Sequence, residues 1–445
     1  MFDLIIGNAI IVSAANGYQP YIGSLAVRDG IIAYAGERQF TPRDAKTVLD
    51  YGGDIVMPGL VNGHCHAELS FMRGIGDDRT LLEQKQKFSM VGWFRRYSTE
   101  DERYAARQLT YCEALRSGTT FLNDNMYWSL GTRSVSAMAQ TGIRGSLSED
   151  IRPDFSCPDE LASVERLQAF IEACKQQDIL PVIAGPAEED VTEDRLRRIA
   201  ALCREVPQAL YTCHLAENGW RMGFTREQFG TTPIELLHRF GLLNNRLAAS
   251  HVVCASPQDI CLLAESGAAV VNTPVCEMKI ADGVAPIAEM VKQGVCVALG
   301  TDGPLWNNGS DLFREMKAML LLQTVQYGIR SLTAKDVLNM ATVNGAKAFH
   351  MQHRIGMLRE GMEADFIRVS TRGLHMCPLR LGKYQNVTSL LVNNVTGGDV
   401  RDVYIRGKCI VKNGRITTVD TDKLRHAVKA CSDRVSQELA ILRNF

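Results

Sequence analysis

The stretch VNGHCHAEL, residues 61 to 69, carries His64 and His66 on either side of one cysteine, directly after the apolar run DIVMPGL. Alternate residues of a strand project to the same face, so two imidazoles are aimed together from the end of an otherwise apolar strand. An isolated HxH pair is also compatible with two inert, hydrogen-bonded histidines. Further candidates stand in CHLAEN (His214 and Glu217), ASHVV (His251) and LGTDG (Asp302), each at or just past the end of a short apolar run. Imidazole nitrogen with one carboxylate suits Zn²⁺ or Fe²⁺, whereas Mg²⁺ prefers oxygen. Three histidines and one aspartate are ligands enough, with room for a water. Such a metal lowers the pKa of its water from about 15.7 toward 7. Asp302 can both touch the metal and take the water's proton. His251, one strand away, is free to polarise the substrate or stabilise a forming oxyanion, and Glu217 can pass a proton to a ring nitrogen and then to a leaving group. The chemistry expected is hydrolytic addition to an electrophilic carbon followed by loss of an amine.

Such a constellation needs a scaffold that brings strand ends together. Between the chain ends, short apolar strands alternate with helical stretches: IVMPGLVNGHCH (55–66), TTFLNDN (119–125), GIRGSLSED (142–150), LPVIAGP (180–186), ALYTCHLAE (209–217), LAASHVV (247–253), AAVVNTP (268–274) and VCVALGTDG (295–303). Eight strands alternating with helices over roughly 300 residues are what a closed (β/α)₈ TIM barrel requires. Active sites of such barrels gather at the C-terminal ends of the strands, where four of the nine histidines and two carboxylates fall. A doubly wound open sheet, the rival arrangement, does not account for that placement. The first ~55 residues read as strands and turns, and so does the segment from ADFIRVS to TTVD, with KNG as a hairpin signal. Residues 421 to 445 read as an amphipathic helix.

The 445 residues are 46% hydrophobic and 22% charged, with a formal net charge of -1, which suits one large domain with a smaller one. No basic stripe points to nucleic acid or anionic lipid, and no apolar run approaches the about 20 residues of a membrane span. Thirteen cysteines without CxxC spacing read as reduced thiols of a cytoplasmic protein.

MPGLVNGHCH, HLAEN, SH, LGTDGPLWNNGSDLFREM and RIGMLREGMEADFIRV resemble the amidohydrolase superfamily across nearly the whole chain. The resemblance is to its mononuclear-metal branch, which includes S-adenosylhomocysteine/methylthioadenosine deaminases, triazine hydrolases and 8-oxoguanine deaminase. It implies a barrel over 57–354 and a small β-sandwich built from 1–56 and 355–445, the latter with the C-terminal helix. It implies His64, His66, His214 and Asp302 as metal ligands, Glu217, His251 and Asp302 as catalytic groups, one divalent metal (Zn²⁺, or else Fe²⁺), and a homodimer. The fourth strand, ILPVIAGPAEED, lacks the lysine that bridges two metals in binuclear relatives.

Departures bear on the substrate. Where adenosyl-compound deaminases place a tryptophan and a glutamate after the first strand, this chain aligns Gln86 and Arg95; where many relatives read HxHxPM, Glu68 stands in HCHAEL. Glu188, Glu189 and Asp190 make the loop after the fourth strand acidic, which is either a solvated loop or a rim favouring a cationic substrate. Arg144 either binds a substrate carboxylate or forms a structural salt bridge. Trp306 either walls the pocket or packs, Asn307 and Asn308 are expected to cap the next helix, and Met72, Trp93 and Phe94 fall on the loop after strand one, a usual lid. Together these features predict a metal-dependent deaminase that releases ammonia from an amino-substituted nitrogen heterocycle or cyclic amidine or guanidine. The alternatives are a triazine-type hydrolase displacing chloride or alkylamine, and a non-catalytic assembly protein that has lost its metal. A small-molecule substrate is expected, with no nucleic acid and no membrane.

Overall fold

The computed structural model describes residues 1–87, 90–126, 129–150 and 162–442. Eight parallel strands form a nearly closed barrel in sequence order: Leu60–Cys65, Thr119–Asn125, Arg144–Asp150, Leu180–Ala184, Leu210–Leu215, Leu247–His251, Ala269–Asn272 and Cys296–Leu299. The seam closes just past the eighth strand, where the N–H groups of Thr301 and Asp302 both donate to the His64 carbonyl at 3.0 Å. The first and last strands are thus joined through the backbone of these two residues.

The expected first strand, 55–66, is two strands in two sheets. Ile55–Pro58 belongs to the terminal sheet and Leu60–Cys65 to the barrel. The crossing occurs at Gly59, where a Cβ would lie 2.1 Å from Oγ1 of Thr120; only glycine fits so close an approach. Apolar continuity hid the break, because strands buried in either sheet read alike.

The strands are buried along almost their whole length, as parallel strands covered on both faces are. Near their N-terminal ends, Val61, Phe121, Val182, Leu210, Ala248 and Val271 pack with Phe349 and Met351 into a plug. This end is apolar and sealed, which leaves the C-terminal ends for chemistry. Helices are started by side-chain caps that the sequence spells out: Thr99 with Glu102 opens Glu100–Arg116, and Ser256 with Asp259 opens Pro257–Ser266. The helix Leu312–Tyr327 is capped by Asp311, whose side chain accepts from the Phe313 N–H, and not by Asn307 or Asn308.

The terminal segments supply a separate mixed sheet of nine strands. In it Ile55–Pro58 lies parallel to Phe2–Ile11 and antiparallel to Phe366–Val369, with Met57 opposite Ile367. The C-terminal helix Thr421–Leu442 leaves that sheet and packs on the barrel side: Leu424, Val428, Cys431 and Val435 are buried with Leu69, Phe71, Phe94 and Ala105. Among the described residues, no helix is long and apolar enough to cross a membrane.

Candidate active site

His64 lies within the first strand and His66 follows it; His214 is the penultimate residue of the fifth, His251 ends the sixth, and Asp302 follows the eighth. Their imidazole centroids stand 4.8 Å (His64–His66), 5.1 Å (His64–His214), 5.3 Å (His66–His214), 5.4 Å (His64–His251) and 5.3 Å (His214–His251) apart. Asp302 Oδ1 is 3.5 Å from His64 Nε2 and 3.3 Å from His66 Nε2. All the candidate ligands meet at one point on the barrel rim.

Three of the four rings are held from behind, so that one nitrogen points inward. His66 Nδ1 donates to the Asn125 carbonyl at 2.6 Å, Ser250 Oγ stands 2.9 Å from His64 Nδ1, and Thr273 Oγ1 3.1 Å from His251 Nδ1. Backbone geometry adds to the aim. Ala216, His251 and Asp302 have φ of 48°, 72° and 60°, conformations costing on the order of 1–3 kcal/mol that concentrate at functional sites.

Burial pushes the His64 imidazole down to about 4 and lowers His66 and His214 as well, the last also through its imidazole neighbours. Neutral imidazoles are the metal-binding form. Burial alone would raise Asp302, but the surrounding histidines hold it below the usual carboxylate range. Inward-facing Nε2 of His64 is fully buried without a hydrogen-bond partner. Single ligand atoms of His64, His66 and His214 lie within 4.8 Å of one another, as do those of His64, His251 and Asp302. An orphaned lone pair among neutral imidazoles and an ionised carboxylate fits a divalent cation of borderline softness.

Beside this cluster, Glu217 Oε2 stands 3.9 Å from His251 Nε2, and Glu277 Oε1 lies 3.7 Å from His251 Nδ1. Burial opposes a charge on His251, but Glu217 and Glu277 outweigh it and push the imidazole up to about 10. Burial would likewise raise Glu217, yet Arg221 and His251 hold it low. A cationic donor and an ionised carboxylate thus stand side by side at the rim.

Several expected substrate contacts lie elsewhere. Arg144 opens the third strand instead of ending it, at the pole opposite the histidines. Its guanidinium bonds Asp365 at 2.8 Å and pairs with Glu363, tying the barrel to the terminal sheet. Glu68 is fully buried against Arg107 at 3.2 Å, and Arg107 also bonds Asp124 at 2.8 Å. Glu68 thus has an arginine of the chain itself as an observed partner. Trp306 is buried with its ring 5.4 Å from that of His66 and its indole N–H donating to Gln84 at 3.0 Å, so it backs a histidine. Met72 and Phe94 are buried. Trp93 lies on the helix Met90–Tyr97, but its side chain, like that of Gln86, falls outside the described residues. In the acidic loop Glu188 and Glu189 have partners within the chain: Glu188 accepts from the Ala216 N–H at 2.5 Å, and Glu189 pairs with Arg221 at 2.8 Å and with Lys85.

Sequence reasoning missed Arg221, Glu277 and Cys276, whose thiol donates to Asp302 Oδ2 at 2.8 Å. Arg221 had a signal, since it stands four residues after Glu217 at the start of a helix. Glu277 and Cys276 had none beyond following the seventh strand.

The profile of the amidohydrolase family matches residues 55–410. A 5'-deoxyadenosine deaminase of Methanosarcina mazei is 32% identical over 98% of this chain and 99% of its own length. A 5-methylthioadenosine/S-adenosylhomocysteine deaminase of Syntrophobacter fumaroxidans is 33% identical over 96% and 97%. Among solved structures, an adenosine deaminase from Xanthomonas campestris with bound zinc superposes with a TM-score of 0.89 at 26% identity, covering 98% of this chain and 99% of that one.

Proposed function

The chain belongs to the amidohydrolase family, and on that footing we propose that it is a zinc-dependent hydrolytic deaminase. It releases ammonia from an amino-substituted nitrogen heterocycle, foremost the 6-aminopurine ring of an adenosine derivative. The observation that carries this reading is the convergence of His64, His66, His214 and Asp302 beside the pair Glu217 and His251. The choice of aminopurine rests on the names of the full-length relatives.

His64, His66, His214 and Asp302 would hold the cation. When bound, it supplies Lewis acidity that lowers the pKa of an attacking water from about 15.7 toward 7. Asp302, kept ionised by the histidines around it, accepts a proton from that water. His251, cationic between Glu217 and Glu277, donates to the oxygen as the C–O bond forms. Glu217, an ionised carboxylate at rest, takes up the water's other proton and delivers it to the adjacent ring nitrogen, and the amino group leaves as ammonia once Asp302 has passed it the first. The balance is one water consumed, one C–NH₂ converted to C=O, and one NH₃ released.

A cytoplasmic location, for which twelve unpaired cysteines among the described residues speak, and a homodimeric state belong to the same reading. The deciding experiment measures ammonia from the zinc-loaded protein over adenosine derivatives, other aminopurines, pterins, aminopyrimidines, triazines and cyclic guanidines. Release from the adenosine derivatives is expected. Release only from another class overturns the choice of ring, and silence with one metal per chain overturns deamination.

A further inference from the structure

Glu217 follows the fifth strand by two residues, past Ala216 in the left-handed region. A carboxylate on such a turn has free side-chain torsions unless something holds it. Arg221, one helical turn further on, has its own N–H fixed by the Asn218 cap and a side chain only 4% exposed. Its Nε donates to Glu189 Oε2 at 2.8 Å and its Nη2 to Glu189 Oε1 at 3.0 Å, a bidentate grip. Its Nη1 donates to Glu217 Oε2, and Glu188 Oε2 stands 3.6 Å from Nε. Glu189 is met from the other side by Lys85 on the helix Leu81–Lys87, after the first strand.

We propose that Arg221 is a positioning residue for the deamination proposed above: braced by Glu189, it fixes one oxygen of Glu217 and presents the other to the substrate. Both the bond to Arg221 and the 3.9 Å approach to His251 involve Oε2. Oε1 accepts no hydrogen bond from the described residues, which leaves it for the proton that must reach the ring nitrogen. The guanidinium is rigid and planar, so its two Glu189 bonds set the direction of the third donor. Stability alone does not call for this arrangement. A buried ion cluster is commonly matched or bettered by apolar residues of similar volume, because desolvation offsets the attraction. What an apolar side chain cannot do is hold a carboxylate in one rotamer.

The chain also shows why the acidic loop accompanies the arginine. Unpaired, a buried guanidinium would leave an uncompensated charge at the rim. Glu188 and Glu189 offset that charge and leave only the direction of the grip.

The test uses the full-length, zinc-loaded protein and whichever substrate yields ammonia, so that failure of the deaminase reading shows beforehand in the wild type. Arg221→Met is expected to lose on the order of 10²-fold in kcat, the scale of a misplaced catalytic group, with KM within about threefold and metal content unchanged. Added guanidinium ion should restore at least tenfold of that loss, and Arg221→Lys should fall between the two. Glu189→Gln, which loosens the brace and leaves Arg221 in place, should cost about tenfold in kcat. Arg144→Ala, which breaks buried ion pairs at the opposite pole, should keep its kcat. An Arg221→Met protein with near wild-type kcat overturns the proposal. So does a loss in kcat that guanidinium does not rescue, or one that Arg144→Ala reproduces. Should Arg221→Met fail to fold, the Lys and Gln variants decide by the same readings.

Discussion

The Nε2 atoms of His66 and His214 face each other at 3.3 Å, with ring planes only 6° from parallel. Because Nδ1 of His66 donates to the Asn125 carbonyl, its Nε2 carries a lone pair. Burial disfavours a proton on either ring. With His214 in the tautomer that carries its proton on Nδ1, two buried lone pairs meet at this distance, and a cation between them relieves the repulsion.

Removing His214 should therefore remove the metal. His214→Ala is expected to lose zinc affinity on the order of 10²-fold or more, read by elemental analysis after dialysis against chelator. Stripping the wild type should lower its Tm and readdition restore it, by mass action on the folded state. The variant's Tm should ignore zinc. Retention of one zinc per chain by His214→Ala would exclude it as a ligand.

The neighbouring pair should behave differently. Glu217→Gln and His251→Ala are expected to keep the metal while turnover falls on the order of 10²-fold or more. Metal loss in either would move that residue from proton transfer to ligation.

Arg107 is fully buried and offsets Glu68 and Asp124, while Asp124 also accepts from Tyr111 at 2.5 Å and from the Ala67 N–H at 3.0 Å. Arg107→Met strands two buried carboxylates, so unfolding stability should drop by about 3–5 kcal/mol in denaturant titrations. A change below about 1 kcal/mol would show that water or protonation replaces the arginine.

Glu315 is buried, accepting from Asn307 at 2.6 Å and from the Val275 N–H at 3.1 Å, and burial pushes its carboxyl up to about 8. Between its ordinary value and about 8 the folded protein keeps a proton that the unfolded chain has released. Its contribution to stability therefore falls as pH rises through that window. Glu315→Gln lacks this dependence, so its Tm minus that of the wild type should climb from about pH 5 to pH 9. A flat or falling difference would mean that Glu315 is ionised throughout.

The barrel and its cluster were legible because strand ends are marked by composition, and a barrel converts shared strand ends into proximity. His64, His66, His214, His251, Glu217 and Asp302 needed only that rule to be placed together. Arg144, Glu68 and the acidic loop were not legible, because their surroundings are set by partners rather than by period. Arg144 meets Asp365 and Glu363 from 221 and 219 residues away, and Glu68 meets a helix residue, Arg107, that nothing local announces. Glu188 and Glu189 read as a bare acidic rim until Arg221 is seen between them and Glu217.

The strand Ile55–Pro58 sits between Phe2–Ile11 and Phe366–Val369, so the terminal sheet is a clasp whose two halves lie on either side of the barrel in sequence. On the ribosome, the first half is made and must wait, with apolar edges unpaired, while some 300 residues are translated. The catalytic barrel can assemble around the nascent chain before the clasp shuts, but its first strand stays anchored to an unfinished neighbour. The strands made last, Phe366–Val369 among them, supply the pairing that covers those edges. Truncations at the C-terminal end should therefore show up first as lost yield, and only later as altered chemistry.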